Sequence, residues 1–183
     1  MTPELDMPHA GMRPALERLL TRRAPASVLA LVLALACEPA RADVSGPACV
    51  ENGSVLSING TRGAGKCNGG TLVKLYGVKA PALDAICPVP ADANWRCGLA
   101  SASALLRAVR DREIDCRGNS KDGEGRLIAL CFIGEKTVND FMVEMGWAAA
   151  DRSVTSLFNG LEAEAKAARR GIWASDTPGL QPD

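Results

Sequence analysis

Residues 71–78, "TLVKLYGV", alternate apolar and polar side chains with the period of a half-buried strand. Leu72, Lys74, Tyr76 and Val78 share one face, Val73, Leu75 and Gly77 the other. Pro81 pushes Ala80 away from helical angles and ends the strand. Upstream, residues 48–58 ("ACVENGSVLSI") read as a first strand, and 59–70 ("NGTRGAGKCNGG") as a glycine-rich hairpin connection tied by Cys67. Downstream, residues 86–98 are a looped segment in which Asn94 is placed to cap a helix at roughly 95–110. That helix repeats apolar residues at Leu99, Ala102, Leu106 and Val109, the spacing of one buried face.

Next, "REIDCR" (112–117) alternates with Ile114 and Cys116 inward, and "RLIALCFI" (126–133) is an apolar run suited to a strand buried on both sides. Two helices close the chain. Residues 137–148 put Val138, Phe141, Met142 and Met145 on one side; residues 156–173 set Leu157, Leu161, Ala165 and Ala168 on another. The second carries a Glu162–Lys166 pair, Arg169 and Arg170 in its last turn, and Gly171 as a stop. Three strands, a helix, two strands and two helices, without βαβ alternation, predict an α+β fold. Its economical packing is a five-stranded antiparallel barrel with three flanking helices.

The first 42 residues have a different pattern. Arg13, Arg18, Arg22 and Arg23 precede the apolar run "ASVLALVLALA" (26–36), and Ala40 and Ala42 stand at small-residue positions before a cut ahead of Asp43. The expected organisation is a signal peptide over 1–42, a domain over 43–176 and a flexible tail over 177–183. The apolar run is too short to span a membrane comfortably, so the mature form is expected to have no membrane span and to be periplasmic or secreted. Met7 and Met12 offer later starts.

Removing the leader leaves 16 basic against 17 acidic residues, a net charge near −1. Such a domain has no general attraction to nucleic acid, so binding of that kind needs a local patch. The only histidine, His9, goes with the leader and takes imidazole chemistry with it. Six of the seven cysteines remain, an even set that reads as disulfides in an exported domain. Six cysteines allow 15 pairings. Sequence order suggests Cys49–Cys67, Cys87–Cys97 and Cys116–Cys131. Antiparallel pairing of 112–117 with 126–133 would set the last two face to face.

Several segments taken in order resemble one family, the thermonucleases or staphylococcal-nuclease-like domains. They are "LVKLYGVKAP", "NWRCGLAS", "DGEGRLIALC", "VNDFMVEMGWA" and "EAEAKAARRGIW", and the likeness covers roughly 48–173. The resemblance implies an OB-fold barrel with three helices and calcium-dependent cleavage of DNA and RNA. That chemistry needs carboxylates for a hard cation, a glutamate to activate water, and arginines for charge growing on phosphorus oxygens. Carried over by position, the first metal-binding aspartate falls near Thr61 and the second on Lys79. The neighbouring threonine falls on Ala80, the general-base glutamate on Ala82 and the first arginine on Lys74. Only the second arginine is kept, as Arg126.

The carboxylates are thus replaced, and no metal or cofactor is expected. Lys74, Lys79 and Arg126 are expected either to form a small anion pocket or to be solvated charges, with Arg126 bracing the barrel through Asp122 or Glu124. The two lysines converge only if the chain bends near Gly77. The expected function is an inactive binding or structural module whose partner is a phosphate, a nucleic acid or an acidic polysaccharide. One alternative is an active nuclease with a rearranged site, using Asp84 or Asp122 as base or ligand beside Lys74 and Arg126. The other is an accessory protein of polysaccharide assembly. Tyr76 alone does not make a single-strand platform. Trp95, Trp147 and Trp173 read as packing anchors, and 59–70 lacks the phosphate-loop pattern.

Overall fold

The computed structural model describes residues 42–88 and 94–174, so residues 1–41 of the expected leader and the 177–183 tail lie outside the described residues. In chain order the strands are β1 (Ala42–Gly46), β2 (Ala48–Asn52), β3 (Val55–Ile58), β4 (Thr61–Gly63), β5 (Lys66–Asn68), β6 (Thr71–Leu75), β7 (Val78–Lys79), β8 (Cys87–Pro88) and β9 (Asn94–Trp95). After them come α1 (Cys97–Val109), β10 (Ile114–Lys121), β11 (Leu127–Ile133), β12 (Lys136–Thr137), α2 (Val138–Glu144), β13 (Ala149–Ala150) and α3 (Asn159–Ala167).

The main sheet runs β1-β10-β11-β6-β3-β2, with β12 added on β11. The α+β architecture with three helices agrees with the sequence; two finer points need correction. The sheet is mixed, because β6 and β11 pair in parallel, Lys74 beside Ile128. It is also not closed by a ring of hydrogen bonds. Its two edges, β1 and β2, are consecutive in the chain with only Pro47 between them, so a covalent corner joins the ends of the sheet. Gly46 turns that corner at φ 148°, and Asn59 holds it, donating from its backbone N–H to Pro47 O (2.8 Å) and from Nδ2 to Ser45 O (3.0 Å). The single strand expected over 48–58 is two strands joined at Gly53–Ser54.

The core lies inside this curl. Leu56, Ile58, Val73, Leu75, Leu105, Ile114, Met142 and Phe158 are fully buried. On β11 only Leu127, Ala129 and Cys131 point fully inward, so that strand alternates instead of being buried on both sides. The helices are shorter than their patterns. Leu99 and Met145 are exposed, Asn94 belongs to β9 with α1 starting after Arg96, and Thr137 caps α2 by accepting from Asp140 N–H. Leu157 is 61% exposed because α3 begins two residues later; Phe158 fills the core in its place. Arg169 takes a φ of 52°, which separates α3 from a 3-10 turn at Gly171–Trp173.

The structure contains the disulfides Cys49–Cys67, Cys87–Cys97 and Cys116–Cys131. Cys116 sits directly opposite Cys131 in the β10–β11 ladder. Cys49–Cys67 ties the β4–β5 hairpin to β2, and Cys87–Cys97 packs with Ile172 in a small second cluster. Three disulfides fit a non-cytoplasmic setting. Among the described residues no helix is long and apolar enough to cross a membrane.

Candidate functional site

Lys74 lies between buried Val73 and Leu75 on β6, so its side chain leaves the core on the opposite face. Gly77 then reverses the parity of the strand. Its φ of 66° suits a residue without Cβ, and a Cβ there would meet Thr155 Cγ2 at 2.5 Å. Beyond the bend Val78 is buried, although it shares the parity of half-exposed Lys74, and Lys79 turns outward. The short β7–β13 ladder, with Lys79 opposite Ala149, and the Asp151 N–H donating to Gly77 O (2.9 Å) fix this geometry.

Lys74, Lys79 and Arg126 therefore line one cavity of about 220 Å³, together with Asn52, Ser54 and Asp151. Arg126 is committed. Its Nε donates to Asp122 Oδ2 at 2.7 Å, a terminal nitrogen lies 3.0 Å from Glu124 Oε1, and its backbone N–H donates to Asp122 Oδ1. It lines the cavity and braces the β10–β11 turn at once. The lysines are different: neither makes an ion pair or a side-chain hydrogen bond among the described residues. The one carboxylate lining the cavity, Asp151, accepts from Ser153 N–H (3.2 Å) and Ser153 Oγ (2.6 Å). Two ammonium groups without a partner among the described residues thus line the cavity beside a carboxylate held by a hydroxyl.

At the brace, burial pushes the Asp122 carboxyl upward. The Arg126 side-chain hydrogen bond, the backbone N–H groups of Arg126 and Glu124, and the guanidinium charge outweigh it and hold the group below its ordinary 3.8. A depressed folded-state pKa stabilises at pH above the ordinary value, and that contribution is lost as pH falls through the folded-state value. The melting-temperature gap between the natural protein and Asp122→Asn is therefore expected to be constant near neutrality and to shrink below pH 3.8. Thermal melts across an acid series check this; a gap independent of pH refutes it.

The family profile for staphylococcal nuclease homologues matches residues 72–175, more than half of the chain. The chain belongs to the staphylococcal nuclease family. It is also 32% identical over 151 residues, covering 80% of this chain and 73% of the relative, to the succinoglycan biosynthesis protein ExoI of Rhizobium meliloti (strain 1021).

Not every residue singled out from sequence lines this cavity. Thr61 is exposed on β4, in the side hairpin, and does not line the cavity. Ser54 and Asn52 do, from the turn between β2 and β3. Ala82 and Asp84 are exposed and also lie off the cavity, while Asp122 is engaged by Arg126. Asp151, which sequence reasoning missed, reaches the site only through the β7–β13 pairing and has no local signature. Trp173 packs at the Cys87–Cys97 cluster, and Trp95 stacks edge-on to Trp147 with ring centroids 6.5 Å apart.

The family's calcium does not fit this donor set. A calcium ion takes about six to eight oxygen ligands, mostly carboxylates and carbonyls. Here one carboxylate, an amide and a hydroxyl share the cavity with two ammonium groups and a guanidinium. Among the described residues no three His, Cys, Asp or Glu side chains are grouped to hold a metal.

Proposed function

We propose that this staphylococcal nuclease domain binds an acidic polymer at the Lys74–Lys79–Arg126 cavity without hydrolysing it, as an exported binding module. The observation carrying this reading is the pair of unpaired lysines at one cavity, with lysine at the second metal-carboxylate position of the family pattern. A second observation favours a polymer over a single small anion. Lys79 and Asp151 also line an adjoining cavity of about 390 Å³ that continues to Arg152, Lys166 and Trp173. The name of the relative, a succinoglycan biosynthesis protein, favours an acidic polysaccharide over a nucleic acid. The single tyrosine of residues 43–183 points the same way, because it gives no platform on which successive bases could stack.

The test measures affinity for alginate, dextran sulfate and single-stranded DNA by titration of the oxidised protein. Lys74→Ala with Lys79→Ala is expected to weaken polysaccharide binding about tenfold or more, since each charge-assisted bond is worth roughly 1.5–3 kcal/mol. Unchanged affinity sinks the reading. So does cleavage of DNA or RNA in calcium by the natural chain. One feature favours that second reading, an active hydrolase: Asp151 supplies a carboxylate inside the cavity. Cleavage abolished by Asp151→Asn would establish it.

A further inference from the structure

A different cavity, of about 340 Å³, lies between α1, α2 and the β11–β12 turn, and shares no lining residue with the Lys74–Lys79 site. Its origin is local. To the floor α1 offers two methyl groups, Ala104 and Ala108 one turn apart, so the facing side chains of Phe141 and Trp147 are not met at full depth. Ile133 and Val138 complete an apolar floor. The rim is of one sign: Arg107 in the last turn of α1, Arg112 in the turn that follows it and Lys136 on β12, with no acidic residue among the lining groups. All three cations are exposed, and none makes an ion pair or a side-chain hydrogen bond among the described residues.

We propose that this cleft is a binding site for a small amphiphilic anion, an aromatic or short aliphatic carboxylate or sulfonate. Its apolar body would lie on Ala104, Ala108, Phe141 and Trp147, and its acid group would meet Arg107, Arg112 and Lys136. The volume falls at the small end of ligand pockets, about 300–1,000 Å³, which are mostly apolar with a few polar groups fixing orientation. An apolar floor by itself accepts any hydrophobe. Three unopposed cations at its rim select an anion, because a neutral or cationic ligand would leave them unneutralised and partly desolvated. The simpler role for these side chains is to lay their aliphatic stems over the floor. That role predicts no dependence on ligand charge, and this difference decides the test.

The probe is 8-anilinonaphthalene-1-sulfonate, titrated into the oxidised protein and followed by its fluorescence and by the tryptophan indole N–H resonances. The expected result is saturable binding of one probe per chain that shifts the Trp147 indole signal and leaves Trp173 in place. Arg107→Glu with Lys136→Glu, both exposed, is expected to keep the melting temperature and to lower affinity at least tenfold. Ala108→Met, which keeps every charge and fills the floor, is expected to lower it similarly. Uncharged N-phenyl-1-naphthylamine is expected to bind at least tenfold more weakly than the sulfonate. The proposal is overturned by a Trp147 signal that does not move, by undiminished affinity in the folded charge variant, or by equal binding of the uncharged probe.

Discussion

Reduction of the three disulfides is expected to unfold the domain at about 37 °C. The bonds close loops with sequence separations of 18, 10 and 15 residues. A loop of that size stabilises by about 3 kcal/mol, so three together contribute roughly 8–9 kcal/mol. Whole domains are stable by only about 5–15 kcal/mol. The structure gives a further reason. Cys49 and Cys67 are what fasten the exposed β4–β5 hairpin to β2, and Cys116–Cys131 fixes the register of the longest ladder in the sheet. Circular dichroism melts with and without a reductant measure the effect. A reduced chain that keeps its near-ultraviolet signal and its melting point would show that the core alone suffices.

The second large effect is expected at Asn139, a fully buried amide at the start of α2. Its Oδ1 accepts from Cys131 N–H (3.0 Å), and its Nδ2 donates to Tyr76 O (2.9 Å) and Ala129 O (3.3 Å). One side chain thus joins α2 to β11 and to the residue just before the Gly77 bend. Asn139→Leu keeps the branched shape in a bulkier side chain and leaves a buried N–H and a buried carbonyl without this partner, at roughly 1–3 kcal/mol each. Denaturant titration is expected to show a loss of about 3–5 kcal/mol. Because the bend carries Lys79 to the cavity, affinity for acidic polymers is expected to fall as well. A loss below about 1 kcal/mol would mean that water replaces the amide.

The elements most legible in the sequence are those set by short-range patterns. The alternation of 71–75, the two strands that bring Cys116 opposite Cys131, and the helices centred on Leu105, Met142 and Ala165 all follow from period and composition. What was not legible depends on distant partners. β1 ("ADVSG") is too short, with one β-branched residue and a glycine, to announce itself, and is a strand because it pairs with β10, Val44 opposite Cys116. β13 is two alanines that acquire strand geometry from Val78 and Lys79. The parallel contact of β6 with β11 crosses the whole of α1 in sequence, and no local rule reports it. The site divides in the same way. Lys74, Lys79 and Arg126 could be read from the family pattern and the expected bend at Gly77. Asp151 could not, because only the β7–β13 ladder brings it there. Thr61 lies off the cavity because it sits in an exposed hairpin that separates β3 from β6, and motif spacing alone does not report such a hairpin.

The order of the disulfides along the chain bears on how the molecule is made. Each cysteine of the described domain bonds to the next one in sequence, 49 to 67, 87 to 97 and 116 to 131, with no crossing. A chain is synthesised from its N-terminus at about 5–20 residues per second, so thiols reach an oxidant one after another. At each step an odd thiol finds as its first available partner the one it keeps in the native molecule. For a chain exported N-terminus first, with the leader and its Cys37 removed, the connectivity, one of fifteen for six cysteines, is expected to arise from that order without reshuffling. A preparation of residues 43–183 refolded from the reduced state, where all six thiols compete at once, has no such ordering to guide it.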